Sequence, residues 1–144
     1  MIKVICVGKI KEQYLKDLIN DYLKRINKYH KLDIIELKDS NIIDESKEIL
    51  KYVKSKDYII TMDINGNKLS SVELSKKIDN LLMNYSNITF IIGGSYGFHD
   101  DVKRVSNYSL SFSDLTFPHG LFRGLLLEQI YRSFKILNNE SYHK

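Results

Sequence analysis

The sequence predicts an α/β fold around a mostly parallel sheet, and three observations support this. Short runs of β-branched and other apolar residues alternate along the chain with segments whose apolar residues recur every three or four positions. The alternation covers all 144 residues without a repeat, a linker or a shift in composition, which indicates one domain. One apolar run, Ile88–Ile92, ends abruptly at Gly93 and Gly94. Ligands of α/β sheets bind beyond such strand ends.

The first half of the chain contains two predicted strands and two predicted helices. Ile2–Val7 is a β-branched run that predicts the first strand. Residues 12–26 carry apolar side chains at helical spacing, with Lys and Asp on the other face, and predict an amphipathic helix. Leu32–Leu37 predicts the second strand. A polar break at residues 39–44 and a short helix over Glu45–Lys54 are expected to follow.

The third strand is predicted over Tyr58–Met62. An Asn65-Gly66 pair follows it, and such a pair can mark a hairpin. Because a helix start comes next, we interpret the pair as a loop between strand and helix. Ser70 and Glu73 have the spacing of a capping box, so the helix is expected to begin there and to end near residue 84.

The last part of the chain predicts a fourth strand at Ile88–Ile92, a short helix at Asp100–Val105 and a fifth strand at Tyr108–Phe112. Pro118 marks the expected start of the final helix, because proline lacks the N–H that a first turn leaves unpaired. An apolar stripe carries this helix to Leu137, and a polar tail follows.

Composition narrows the class of protein. A hydrophobic fraction of 43% and a charged fraction of 28% are typical of a globular protein, and the net charge of +4 weakly favours an anionic partner. Cys6 is the only cysteine, which excludes an internal disulfide and a zinc cluster of cysteines. No apolar run has the length of a membrane span or of a signal peptide core, so a cytoplasmic location is expected.

General motifs exclude more functions than they identify. The Gly-Gly-Ser-Tyr-Gly stretch at residues 93–97 lacks the G-x-G-x-x-G spacing of dinucleotide-binding proteins, and no phosphate-binding G-x-x-x-x-G-K-[ST] loop occurs. No metal-binding H-E-x-x-H pattern is present either. From the residues alone, the glycine stretch is either a ligand site or an ordinary turn between strand and helix.

Ordered motifs along nearly the whole chain resemble the ribosomal RNA large subunit methyltransferase H family, small members of the SPOUT methyltransferases. The matching stretches are Val7–Lys9, Tyr22–Arg25, Met62–Asn67, Phe90–Gly97, Leu110–His119, Glu128–Ile136 and Tyr142–Lys144. A glycine pair alone is a weak signal, whereas this ordered set with its Tyr-His end is highly specific.

This resemblance implies a fold and a reaction. The C-terminal part would be threaded into a deep trefoil knot, an exception to the rule that protein chains do not thread loops. The protein would be a homodimer that uses S-adenosylmethionine, without a metal, to methylate N3 of a pseudouridine in helix 69 of 23S rRNA. The substrate would be the assembled ribosome. Two rival functions remain open, a knotted methyltransferase of tRNA and a non-catalytic nucleotide- or RNA-binding module.

The resemblance also assigns roles to residues. The methyl donor would be held by residues that follow the third, fourth and fifth strands, namely Met62, Gly93, Phe112, Ser113, Asp114, Leu115, Thr116 and Phe117. Three such loops can form one pocket at the carboxyl edge of a parallel sheet, with glycines that allow close approach and with apolar walls.

The catalytic candidates lie elsewhere in the sequence. Methylation of N3 requires loss of its proton, and the imidazole of His143 titrates near neutral pH, so His143 is the expected base. Tyr142 would stack on or orient the uracil ring. Arg123 would steady the developing charge or hold a phosphate. The alternatives are a frayed tail for the first two residues and a surface ion pair for Arg123.

Overall fold

Five strands form one parallel sheet in the order β2-β1-β4-β3-β5, and helices cover both of its faces. The structure is a computed structural model that describes all 144 residues. Its elements are β1 (Ile2–Val7), α1 (Gln13–Asn27), β2 (Leu32–Leu37), α2 (Ile42–Lys51), β3 (Asp57–Lys68), α3 (Ser71–Asn84), β4 (Asn87–Ile92), α4 (Asp100–Val105), β5 (Tyr108–Ser111) and α5 (His119–Leu137). The predicted α/β architecture is confirmed, and the knot stays a prediction.

The sheet has a hydrophobic cluster on each face. The larger cluster packs α1, α3 and α5 against one face, and the smaller one packs α2 and α4 against the other. Every residue of β1 is buried because this strand lies inside the sheet with both faces covered. This burial explains why the first strand is a nearly continuous apolar run. None of the helices is both long and apolar enough to cross a membrane.

The third strand differs from the sequence prediction. β3 does not end at Met62 but continues through the Asn65-Gly66 pair to Lys68. It pairs with β5 up to Met62 and again from Asn67, after a shift in register. A side chain at Gly66 would come within 2.7 Å of the Ser109 backbone, so the glycine lets the strand pass close to β5. The interpretation of Asn65-Gly66 as a strand-to-helix loop was therefore wrong.

The start of α2 also differs from the prediction. The helix begins at Ile42, inside the segment predicted to be a polar break, and ends at Lys51. The side chain of Asn41 causes the early start, since its Oδ1 atom accepts a hydrogen bond of 2.9 Å from the Asp44 N–H. A polar residue in this segment is therefore the cap of the helix.

The predicted start of α3 and end of α5 agree better with the structure than the predicted start of α2 does. The predicted capping box is present, because the Ser70 and Glu73 side chains each accept a hydrogen bond from the backbone N–H of the other residue. The final helix ends at Leu137 as expected, but Pro118 is its cap instead of its first helical residue. The fifth strand ends at Ser111, one residue earlier than predicted.

Candidate functional site

A cavity of about 530 Å³ lies at the carboxyl ends of β3, β4 and β5. Its walls are the extension of β3 after Met62, the glycine turn Gly93–Phe98 and the segment from Leu110 to Phe117, with residues of α4 and the start of α5. A volume of this size is typical of small-molecule sites, and the position is the one where parallel sheets bind ligands. The three loops that sequence analysis grouped together do form one pocket.

Most residues expected to hold the methyl donor line this cavity. They are Met62, Gly93, Phe112, Ser113, Leu115, Thr116 and Phe117. Asp114 is not among the lining residues. Its exposed carboxylate accepts a hydrogen bond of 2.6 Å from Lys68 Nζ at the end of β3. In this structure Asp114 connects the loop that follows β5 to the end of β3. Its role in cofactor binding stays a prediction.

The glycine turn forms the wall of the cavity that follows β4. The Gly97 N–H donates to the Gly94 carbonyl at 3.0 Å, which closes a tight turn. Gly97 has a φ of +76°, a conformation that side chains disfavour. A side chain at Gly93 would come within 3.0 Å of the Gly97 carbonyl oxygen and of the Phe98 ring. The conformation of the turn therefore explains why residues 93 and 97 are glycines.

The opposite wall is apolar and largely aromatic. The rings of Phe112 and Phe117 lie 5.2 Å and 6.1 Å from the ring of Phe122, which projects from the first turn of α5. Leu115 lines the cavity although 71% of its surface is exposed. An exposed leucine beside aromatic rings provides an apolar surface that a planar ligand can cover.

Several lining residues were not identified from the sequence. They include Asp63, Tyr96, Lys103 and Phe122. Phe122 is part of the apolar pattern of the last helix, and that pattern gave no reason to separate it from core residues. Asp63 could have been found from its place directly after Met62, on the strand end already selected.

His119 lines the cavity and also ties two elements together. Its Nε2 atom lies 2.7 Å from the Val7 carbonyl oxygen, so this nitrogen carries the hydrogen and donates it. The start of α5 is thereby attached to the end of β1.

Arg123 does not reach the cavity surface. The residue is only 2% exposed and its guanidinium donates to Glu36 Oε2 at 2.7 Å and to the Gly8 carbonyl at 2.8 Å. The ion pair offered as an alternative for Arg123 exists, but its guanidinium is buried instead of lying at the surface. From this position Arg123 can hold the loop after β1, and direct contact with a substrate stays a prediction.

The C-terminal tail packs against α5 instead of fraying. The Tyr142 hydroxyl donates to Glu128 Oε1 at 3.1 Å, and its ring meets the Tyr131 ring edge to face at 5.1 Å. The guanidinium carbon of Arg132 lies 4.7 Å from the Tyr142 ring centre. Burial, together with hydrogen bonds to Tyr22 and Glu128, raises the pKa of Tyr142, so this phenol stays neutral at physiological pH.

Arg132 also contacts the proposed base. Its Nη1 atom lies 3.0 Å from Nδ1 of His143, and the same guanidinium binds Glu128 with contacts of 2.6 Å and 3.0 Å. Because arginine can only donate, His143 Nδ1 is an acceptor and the hydrogen of the neutral ring is on Nε2. The i,i+4 spacing of Glu128 and Arg132 was visible in the sequence, but nothing there linked the pair to the tail.

The cavity and the C-terminal tail lie at different places along α5. Phe122 lines the cavity, whereas Arg132 holds the tail, and ten helical residues place them roughly 15 Å apart along α5. No residue of the tail lines the cavity. The structure therefore brings the predicted cofactor residues together and keeps the predicted base away from them within one chain.

The structure contains neither a cluster of metal-binding side chains nor a reactive thiol. No group of three or more His, Cys, Asp or Glu side chains lies close enough together to hold a metal ion. Cys6 is buried in β1, and burial raises the pKa of its thiol to about 11. A thiol that stays protonated is a poor nucleophile.

Comparisons with known proteins identify the family to which the chain belongs. The family model described as "Predicted SPOUT methyltransferase" matches residues 1–143. Proteins named ribosomal RNA large subunit methyltransferase H from Clostridium botulinum (strain Alaska E43 / Type E3) and ribosomal RNA large subunit methyltransferase H 1 from Clostridium perfringens (strain SM101 / Type A) are 50% and 48% identical. Each alignment covers 99% of both chains.

One solved structure with a similar fold is much less similar in sequence. The SpoU methyltransferase AviRb from Streptomyces viridochromogenes in complex with AdoMet aligns with a TM-score of 0.48 and 7% identity, over 92% of this chain and 60% of that chain. A likeness this low carries no inference about function. The match of the family model over 143 residues and the relatives near 50% identity are sufficient to conclude that the chain belongs to the SPOUT methyltransferase family.

Proposed function

We propose that this protein transfers a methyl group from S-adenosylmethionine to N3 of a pseudouridine in helix 69 of 23S rRNA, on the assembled ribosome. The observation that carries the proposal is the cavity at the carboxyl ends of β3, β4 and β5, in a chain that the family model matches over residues 1–143. Relatives near 50% identity over 99% of both chains bear the name of ribosomal RNA large subunit methyltransferase H. A ribosomal substrate would place the protein in the cytoplasm.

The cavity suits S-adenosylmethionine in size and chemistry. Its volume is in the range of small-molecule sites, and it offers an apolar wall at Leu115 and Phe117 opposite the backbone of the glycine turn. The apolar wall would cover the adenine, while backbone groups beside Gly93 and Met62 would meet the polar atoms. The bound cofactor would supply an electrophilic methyl group.

The acceptor nitrogen must lose its proton during transfer, and His143 is the proposed acceptor. Its Nδ1 atom is occupied by Arg132, and its Nε2 atom already carries a hydrogen. Proton uptake therefore requires Arg132 to leave Nδ1. The released guanidinium would then be free to stabilise the negative charge on the uracil ring. Tyr142, fixed by Glu128, would position the tail for this exchange.

A homodimer would join the two separated groups. The tail lies roughly 15 Å along α5 from the cavity of its own chain. A second copy can present its own tail to that cavity, so that each active site is built from both subunits. Reciprocal sharing of this kind is possible in a two-fold symmetric dimer whose interface includes both groups.

The decisive experiment is mass mapping of 23S rRNA from a strain that lacks the gene. We expect one methyl group to be missing from helix 69 and to return when the purified protein and S-adenosylmethionine are added to the mutant ribosomes. Naked 23S rRNA should be a poor substrate in the same assay. If helix 69 keeps its methyl group in the deletion strain, the proposed substrate is wrong. If a methyl group is missing from tRNA instead, the protein is a tRNA methyltransferase.

A further inference from the structure

The carboxylate of Glu45 lies buried directly behind the glycine turn. Glu45 belongs to the first turn of α2 and is only 4% exposed. Its Oε2 atom accepts a hydrogen bond of 2.9 Å from the Ser40 N–H, while its Oε1 atom is buried without a partner. No cationic side chain forms an ion pair with it. Such a group is rare, because buried carboxylates are normally paired.

Gly94, a residue of the cavity wall, lies against this carboxylate. A side chain at Gly94 would come within 2.8 Å of Glu45 Oε1, so the carboxylate can approach the turn only because residue 94 has none. Gly94 also lines the cavity. The partnerless oxygen therefore lies directly behind a residue of the cavity wall. The start of α2 favours a negative charge there, but a helix terminus offsets only part of the cost of burial.

We propose that Glu45 is a specificity-determining residue, whose buried carboxylate behind Gly94 favours a ligand with a positive charge at the reacting sulfur. The inference rests on the proposed function, because S-adenosylmethionine is a sulfonium and its product S-adenosylhomocysteine is a neutral thioether. A negative charge in a weakly screened position attracts the sulfonium and has no corresponding attraction for the thioether. The carboxylate thus favours binding of the methyl donor and release of the product.

Affinities for three ligands can show whether Glu45 acts through its charge or through the shape of the glycine turn. S-adenosylmethionine is charged at the reacting position, S-adenosylhomocysteine is neutral there, and sinefungin carries an amine at that position. Titration calorimetry on the full-length protein would compare Glu45→Gln with wild type. We expect affinity for the two charged ligands to fall roughly tenfold and affinity for S-adenosylhomocysteine to change less than about twofold.

Glu48→Gln is the matched control, because Glu48 is a half-exposed glutamate of the same helix that pairs only with Lys51. It should leave all three affinities unchanged. If Glu45→Gln does not fold, Glu45→Asp keeps the charge but withdraws it from Gly94, and the same selective loss should be seen at smaller size.

Equal losses for all three ligands would show that Glu45 only shapes the turn, and no loss would show that its charge is not felt. Either result overturns the inference while leaving the proposed function intact. A wild-type protein that binds none of the three ligands would overturn the proposed function, and this inference with it.

Discussion

The guanidinium of Arg123 and the carboxylate of Glu36 meet at 2.7 Å beneath the loop that follows β1. The arginine side chain is 2% exposed and the glutamate side chain 36% exposed. The second arm of the guanidinium holds the Gly8 carbonyl, where the backbone has a φ of +101°. This pair attaches α5 to the ends of β1 and β2.

Removal of Arg123 should therefore affect stability first. We expect Arg123→Ala to lower the free energy of unfolding by about 3 kcal/mol, because it leaves a cavity and removes both donors from a mostly buried site. Urea denaturation followed by circular dichroism would measure it. Exposed Arg104→Ala, which breaks a surface pair with Asp101, is the control and should cost less than about 1 kcal/mol. Normal stability with lost methyl transfer would instead support a direct role in catalysis.

Features that depend on contacts between neighbouring residues were predicted from the sequence, whereas features that depend on long-range contacts were missed. The Ser70–Glu73 capping box was predictable because its residues are three positions apart and settle the geometry between themselves. The extension of β3 was missed because it depends on β5, more than 40 residues later. The position of Arg123 depends in the same way on Glu36, which is 87 residues distant.

The site was predictable to a similar extent. Strand ends in a parallel sheet meet at one edge, so the loops after β3, β4 and β5 could be grouped from the sequence. Which side chains in a loop face the cavity depends on local geometry, and Asp114 points to Lys68 instead. The buried carboxylate of Glu45 was invisible for the same reason, since Gly94 is 49 positions away in sequence.

Leu115 allows a test of the cavity without loss of stability. Because 71% of Leu115 is exposed, Leu115→Ser should leave the free energy of unfolding nearly unchanged. It removes apolar surface from the cavity wall, so affinity for S-adenosylmethionine in calorimetry should fall roughly tenfold. Met83→Ser is the control, because Met83 is 72% exposed on α3, away from the cavity. Equal affinities for the two variants would place the ligand elsewhere.

The Lys3–Asp57 pair predicts a loss of stability in acid. Burial alone would raise the pKa of Asp57, but hydrogen bonds from Lys3, Asn87 and the Lys54 N–H outweigh it and hold the pKa below its ordinary value. The stabilisation is complete above the unfolded pKa near 3.9 and disappears as the pH falls through the lower native pKa. Wild type should lose stability steeply below about pH 4.

The Asp57→Asn variant isolates this contribution. At pH 7 it should be less stable by about 3–5 kcal/mol, because Lys3 stays buried without its partner at 2.7 Å. The difference from wild type should shrink as the pH falls below about 4, in urea denaturation at a series of pH values. Asp33→Asn, at an exposed position of β2, is the control and should follow wild type. A difference independent of pH would contradict the assignment.

Ribosome binding should weaken with salt. The chain carries a net charge of +4, and contacts with RNA phosphates release counterions, so the logarithm of affinity should fall linearly with the logarithm of salt concentration. Sedimentation of the protein with ribosomes at increasing KCl would measure the slope. Binding of S-adenosylmethionine in the same buffers is the control and should change far less. A flat response would argue against phosphate contacts.

Deletion of residues 142–144 should separate cofactor binding from methyl transfer. The tail packs against Glu128 and Arg132 but does not line the cavity, so affinity for S-adenosylmethionine should stay within about twofold of wild type. Transfer to ribosomes should fall at least roughly a hundredfold, because the proposed proton acceptor His143 is removed. Calorimetry and incorporation of a radioactive methyl group measure the two quantities.

Deletion of Lys144 alone is the control for the shortened terminus, because Lys144 is exposed. Tyr142→Phe and His143→Ala then divide the effect between the two remaining residues. The first removes only the hydroxyl that Glu128 holds and should cost less activity than the second, which removes the imidazole. Full transfer by the deletion variant would show that the proton leaves N3 by another route, and His119, which lines the cavity, would be the next imidazole to test.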